Sequence, residues 1–150
     1  MLDRKLDQDI KTALLAGDRI KADTLRGLKS ALLYAKVAKG KKEAGLSESE
    51  EISVLASEAK KRSESVELYI QGGAPDKADK ELLEKKIIDG YLPKQLSETE
   101  LISMVEKTIN ELGAKDISGM GSVMAKMREI TAGSADGATI AKLVKERLGQ

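Results

Sequence analysis

Apolar residues recur every three or four positions along most of this chain, and glycines or prolines interrupt the pattern at a few places. This spacing places apolar side chains on one face of an α-helix. Seven segments follow it, and no segment alternates in the way a strand would. Glycines such as Gly17, Gly40 and Gly113 come directly after apolar segments, as is typical of helix C-termini. The pattern predicts an all-α protein.

The first two predicted helices are separated by a Gly-Asp pair. Residues 2–16 form the first helix, which Gly17 ends, and Asp18 is positioned to cap the second, which runs to about Gly40. The expected core positions are Leu2, Leu6, Ile10 and Leu14 in the first helix and Leu25, Leu28, Leu32 and Ala35 in the second.

The next two helices have stronger start signals. Ser47 and Glu50 form a capping box that opens a third helix ending near Gln71. Pro75 suits the first turn of a fourth helix, which ends at Gly90. The expected core positions are Ile52, Leu55, Ala59, Val66 and Tyr69, then Ala78, Leu82, Leu83, Ile87 and Ile88.

An extended connection, Tyr91-Leu92-Pro93, follows the fourth helix, because proline disfavours helix at the residue before it. We place a domain boundary here. Residues 1–92 are predicted to form a four-helix N-terminal domain, and residues 93–150 a small three-helix C-terminal domain.

The predicted C-terminal domain begins with a second capping box, Ser97 with Glu100. That fifth helix ends at Gly113, the sixth lies between Gly119 and Gly133, and Asp136 is predicted to cap the seventh. The expected core positions are Leu101, Val105, Ile109 and Leu112, then Met120, Val123, Met124, Met127 and Ile130, then Ile140, Leu143, Val144 and Leu148.

The chain contains neither cysteine nor histidine. Disulfides, the usual zinc ligands, the commonest general base and the thiol nucleophile are therefore all absent. Gly119-Met120-Gly121 lacks the spacing of a phosphate-binding loop and follows no strand, so we interpret Gly121 as a site of close helix packing. We expect no catalysis by the chain alone, no cofactor and no metal.

The N-terminal sequence is polar, and the longest apolar run covers only residues 31–35. A secretory signal needs an apolar stretch after its basic start, and a membrane span needs about 20 apolar residues. We therefore expect a cytoplasmic protein with no membrane partner.

Charge is balanced overall, with a net charge of +1, but it is uneven along the chain. Residues 19–42 carry eight basic residues against one acid, whereas residues 48–67 carry six glutamates. Arg19, Arg26, Lys29 and Lys36 form a basic stripe along the second helix. The sequence leaves three interpretations of this stripe open. It contacts the backbone of a folded RNA, it neutralises the acidic third helix, or it is a solvated face.

Arg62 stands on the apolar ladder of the third helix, four residues after Glu58. An acid placed N-terminal to a base at this spacing forms a favourable helical ion pair. We interpret Glu58 and Arg62 as an internal ion pair that fixes helix register, with a phosphate or carboxylate pocket as the alternative.

Several segments together are similar to the YqeY family. They are residues 24–26, 28 and 30–31, residues 55–65 with Tyr69, then Asp76, Ala78 and Glu81, residues 91–98 and 100–101, residues 120–124, and residues 135–137. The resemblance implies an all-helical fold of four helices followed by three. It also implies that the C-terminal part is similar to the tail of the B subunit of the glutamine-dependent aspartyl/glutamyl-tRNA amidotransferase, which contacts the tRNA elbow.

The resulting functional hypothesis is a non-catalytic, tRNA-associated binding module. The candidate RNA-binding residues are Arg26, Lys29, Lys36, Lys60, Lys61, Arg62, Lys126, Arg128, Lys142 and Lys145. One alternative is a protein-interaction module without an RNA role, in which helix ends and Tyr91, Leu92 and Pro93 form a groove for a partner helix or tail. Another is an accessory component of a carbon–nitrogen ligase, an amidotransferase that uses glutamine as amido donor and carries its catalytic chemistry in other subunits.

Overall fold

A computed structural model describes residues 2–149, which fold into seven α-helices and one short 3-10 helix, with no strand. The all-α class and the order of four helices followed by three are confirmed. The 3-10 helix Ile117–Gly119 was not predicted; Asp116 opens it by accepting a hydrogen bond from the Ser118 amide. The helices are α1 (Leu2–Leu15), α2 (Arg19–Ala38), α3 (Glu48–Gln71), α4 (Pro75–Asp89), α5 (Glu98–Leu112), α6 (Met120–Thr131) and α7 (Gly137–Leu148).

Most of the predicted helix caps are present. The Asp18 carboxylate accepts from the Lys21 amide, and both capping boxes form, at Ser47 and at Ser97. Asp136 occupies the N-cap position of α7, but its side chain caps no backbone amide, so that prediction is wrong. Its carboxylate instead accepts a 3.4 Å hydrogen bond from the Thr139 hydroxyl, which competes for the same oxygen atoms.

Contacts along the chain divide it into two compact units, Met1–Leu92 and Pro93–Gln150. In the N-terminal unit, α3 packs most extensively on α4 and α1 on α2, while α2 also contacts both α3 and α4. Burial of the apolar faces of these helices supplies the main stabilisation. The buried cluster consists of Leu6, Leu25, Leu28, Leu32, Leu55, Ala59 and Ile88.

In the C-terminal unit, each of α5, α6 and α7 packs against the other two. Thr108 and Thr131 are buried, and their hydroxyls donate to the carbonyl oxygens of Met104 and Met127 at 2.8 and 2.7 Å. Both hydroxyls therefore form a hydrogen bond although they are buried. The apolar cluster consists of Leu101, Val105, Val123, Met124, Met127, Ile140, Leu143, Val144 and Leu148.

Some predicted core positions are wrong, because a spacing of four residues rotates around a helix by about 40° at each step. In α1 the line that starts at Leu2 has turned into solvent by Leu14, and Ala13 is buried instead. In α6 the error has the opposite sense: Ile130 lies three residues after Met127, which rotates it back by about 60°, and Thr131 is buried instead. Leu82, Leu83 and Leu112 are also exposed.

None of the helices within residues 2–149 combines the length and the apolar content needed to span a lipid bilayer.

Candidate nucleic-acid interface

Two lysines of the basic stripe on α2 contact carboxylates of α1. Lys29 forms an ion pair with Asp7, and Lys36 forms one with Asp3. Both ammonium groups are thus neutralised within the N-terminal unit, by α1 and not by the acidic α3. Any phosphate that binds at these positions competes with an aspartate already in place.

The end of the stripe meets α3 at Glu50. The Glu50 carboxylate accepts from Lys41 Nζ at 2.8 and 3.0 Å and from Lys39 Nζ at 3.2 Å. It also accepts from the Ser47 amide at 2.8 Å, which completes the capping box. The hydrogen bonds from Lys41, Ser47 and Lys39, in that order of size, lower the pKa of Glu50 to about 2. Here α2 and its following loop are neutralised by α3, as one reading of the sequence expects.

Arg26 and Lys60 are the more accessible N-terminal candidates. Arg26 contacts Asp23 at 3.4 Å, but more than half of its side chain is exposed to solvent. Lys60 is exposed and has no ion-pair partner among residues 2–149. An exposed single ion pair is worth less than about 1 kcal/mol, so Arg26 can exchange Asp23 for an external anion at little cost.

Arg62 has the opposite surroundings. Its Nη1 donates to Glu58 at 2.8 Å and its Nε lies 3.4 Å from Glu84, so the guanidinium joins α3 to α4. Only 20% of the Arg62 side chain is exposed. Glu58 also accepts from Lys61 at 3.0 Å. The geometry is that of an internal ion-pair network, in which Nη1 contacts Glu58 and Nε contacts Glu84.

The C-terminal candidates have fewer internal ion pairs than the N-terminal ones. Arg128, Lys142 and Lys145 are exposed, and the part of the chain that the structure describes offers them no ion-pair partner. Lys142 and Lys145 are three residues apart on α7, on the side away from the buried Ile140 and Val144. The fourth candidate is Lys126, whose contact with Glu129 at 3.8 Å is long and solvent-exposed.

A groove bordered by α1, α2 and α4, which we call the α1–α4 groove, was not predicted from the sequence. Its volume is about 440 Å³. Three lysines line it, and none of them has an ion-pair partner within residues 2–149. The lining residues are Lys5, Asp9, Lys21, Leu83, Lys86, Ile87, Gly90 and Tyr91.

Tyr91 anchors this groove. Its hydroxyl donates to the Asp9 carboxylate, and Lys5 Nζ lies 5.3 Å from the centre of its ring, in cation–π range. Burial of the phenol, followed by the hydrogen bond to Asp9, raises the pKa of Tyr91 well above its usual range. The hydroxyl therefore stays a hydrogen-bond donor at physiological pH. Tyr91 and Asp9 are 82 residues apart, and no local sequence signal links them.

Within residues 2–149, no group of three or more acidic side chains is arranged to hold a metal ion.

A family model described as Yqey-like protein matches residues 3–148. The chain belongs to the YqeY-like family. The resemblance found in the sequence motifs is thereby confirmed, and the match spans both units of this YqeY-like protein, from α1 to α7. Among curated proteins, none matches the chain.

Proposed function

We propose that this YqeY-like protein is a non-catalytic binding module that contacts the phosphate backbone of a folded RNA, with tRNA as the first candidate. Arg128, Lys142 and Lys145 of the C-terminal unit are the principal contacts. The supporting observation is that all three are exposed cations without an internal ion-pair partner in residues 2–149. The similarity of this part to the amidotransferase B-subunit tail, implied by the sequence motifs, points to the same ligand.

Pairing explains why the contacts are assigned to α6 and α7 and not to the stripe on α2. Lys29 and Lys36 already hold Asp7 and Asp3, so a phosphate gains only the difference between two similar interactions. Lys142 and Lys145 give up only hydration when they bind a phosphate. Each such contact releases condensed counterions from the RNA, which favours binding at low salt.

The remaining candidates divide by the same argument. Lys126 is a secondary contact of the C-terminal unit, because its long ion pair with Glu129 must first be exchanged. Arg26 and Lys60 are secondary contacts in the N-terminal unit. Lys61 and Arg62 contribute to the internal network around Glu58.

The test is fluorescence anisotropy of end-labelled tRNA at two salt concentrations that differ fourfold. Three phosphate contacts predict a loss of affinity of about 40-fold between them, from a slope of about −0.9 per contact. The variant Arg128→Gln/Lys142→Gln/Lys145→Gln is expected to lose most of the binding at the lower salt concentration.

The matched control is Lys11→Gln/Lys42→Gln/Lys80→Gln, which removes three exposed and internally unpaired lysines of the N-terminal unit. It changes the net charge by the same amount and should bind tRNA almost as well as the unmodified chain. Equal losses in both triple variants would mean that only total charge matters, and salt-independent binding would contradict phosphate contact altogether.

A second candidate function is protein interaction, which an apolar patch on α2 favours. Leu33, Tyr34 and Val37 are 55%, 78% and 58% exposed and lie within one turn of each other. Adjacent exposed apolar residues are typical of a surface that another protein covers. If this reading is right, Tyr34→Glu/Val37→Glu should abolish capture of a defined protein from nuclease-treated lysate and leave tRNA affinity unchanged.

A further inference from the structure

The α1–α4 groove concentrates positive charge in a concave surface. Lys5 of α1, Lys21 of α2 and Lys86 of α4 line it together, although they are distant in sequence. Elsewhere in this unit α2 lysines such as Lys29 and Lys36 face aspartates. The lining of the groove, by contrast, contains three lysines and a single acidic residue, Asp9.

That carboxylate, Asp9, does not neutralise the lysines by direct contact. One of its oxygen atoms accepts the hydroxyl proton of Tyr91, and no lysine lies within ion-pair distance of it. The ammonium of Lys5 lies over the Tyr91 ring, which stabilises a cation but supplies no counter-charge. Like charges along one concave wall repel each other and raise the local concentration of anions.

The groove also has an apolar wall. Leu83 and Ile87 of α4 line it one turn apart, and Leu83 is 44% exposed. The Tyr91 ring adds a further apolar surface. The volume of about 440 Å³ lies within the usual range for small-molecule sites. An inorganic ion would leave this apolar wall in contact with water.

We propose that the α1–α4 groove binds a small organic anion that joins a phosphate or carboxylate group to a compact apolar part. Lys21 and Lys86 neutralise the anionic group, and Leu83, Ile87 and the Tyr91 ring cover the apolar part. Lys5, held over Tyr91, supplies the third positive charge. This site is separate from the RNA contacts proposed for α6 and α7, and neither proposal depends on the other.

The test uses 1-naphthyl phosphate as the probe, with 1-naphthol and inorganic phosphate as its two halves. Each is titrated into the full-length, nitrogen-15-labelled chain, and backbone amide shifts are followed by NMR. The expected result is a saturable shift at Leu83, Ile87, Gly90 and Tyr91 with naphthyl phosphate. Each half alone should bind at least about 10-fold more weakly, since each lacks one of the two interactions.

The variant Lys21→Gln/Lys86→Gln keeps the apolar wall and removes two charges. It should weaken naphthyl phosphate about 10-fold, the combined effect of two partly exposed charge contacts. The matched control is Lys11→Gln/Lys80→Gln, whose two exposed lysines lie on α1 and α4 outside the groove. The control should bind like the unmodified chain.

Three results overturn the proposal. One is the absence of any saturable shift around the groove. Another is that 1-naphthol or inorganic phosphate binds as tightly as naphthyl phosphate, because the groove would then recognise only one half of the ligand. The third is an equal effect of the two double variants on affinity, because the charge near Lys21 and Lys86 would then have no local role.

Discussion

Replacing Arg62 with methionine tests whether this residue is part of the scaffold. The substitution Arg62→Met keeps an unbranched, flexible side chain on the apolar ladder of α3 and removes the guanidinium. Glu58 keeps Lys61 at 3.0 Å, but Glu84 loses its only ion-pair partner within residues 2–149. We therefore expect the N-terminal unit to be destabilised mainly through an unpaired, poorly solvated Glu84.

The expected loss of stability follows from how exposed the three side chains of this ion-pair network are. Arg62, Glu58 and Glu84 are 20%, 13% and 19% exposed. Breaking a fully buried ion pair costs about 3–5 kcal/mol. An exposed pair contributes less than about 1 kcal/mol. This network lies between those limits, so Arg62→Met should lower the free energy of unfolding by about 2 kcal/mol.

Tyrosine provides a probe that is specific for this unit. The chain has three tyrosines and no tryptophan or phenylalanine, and Tyr34, Tyr69 and Tyr91 all lie in Met1–Leu92. Urea unfolding followed by tyrosine fluorescence or near-ultraviolet circular dichroism therefore reports the N-terminal unit alone. The free energy of unfolding is obtained by linear extrapolation to zero urea.

Two further variants decide the interpretation. Arg62→Met/Glu84→Gln also removes the unpaired charge of Glu84, so about half of the lost free energy of unfolding should return. Lys60→Met, on the same helix but exposed and without an internal partner, should change stability by less than about 0.5 kcal/mol. If Arg62→Met is as mild as Lys60→Met, the guanidinium is effectively solvated, and the reasoning that excludes it from RNA contact fails.

Three more predictions concern single positions. Glu50→Gln should lower the melting temperature at pH 7. The difference between variant and unmodified chain should vanish as the pH falls from 4.5 through about 2. A carboxylate whose folded-state pKa is lowered stabilises the fold only while it is ionised. Met127 is fully buried in α6, so Met127→Ala should lower the free energy of unfolding of the C-terminal unit by about 2–5 kcal/mol. Native-state amide exchange in that helix measures this change. Ala132→Gly should stabilise the C-terminal unit by about 0.5–1 kcal/mol in the same assay, because Ala132 has a φ of 43° in the left-handed region.

The helices could be predicted from the sequence because their boundaries depend on local chemistry. Ser47 and Ser97 each lie three residues before a glutamate, and both capping boxes form. Gly113 ends α5 with a φ of 65°, a conformation that glycine adopts without steric cost. The errors at Leu14 and Ile130 arise where a simple spacing rule departs from the true helical pitch.

The candidate site could be predicted less well, because ion pairing depends on how helices pack. Lys29 and Asp7 are 22 residues apart, and Lys36 and Asp3 are 33 apart. The sequence left open whether the acidic α3 neutralises the stripe on α2, whereas the structure pairs these two lysines with aspartates of α1. Arg62 and Glu58, by contrast, are one helical turn apart and could be paired from the sequence.

Net charge is a poor guide to what such a protein binds, since cations that hold internal carboxylates offer little to an external ligand. Cations without an internal partner are the better candidates, and two groups of them lie on surfaces of different shape, an exposed helix face and a groove. Lys142 and Lys145 lie on the exposed side of α7, where binding a phosphate backbone needs no pocket. Lys21 and Lys86 line a groove beside Leu83, which offers a small amphipathic anion both positive charge and an apolar wall. The same residue type therefore predicts two different ligands, and local shape distinguishes them.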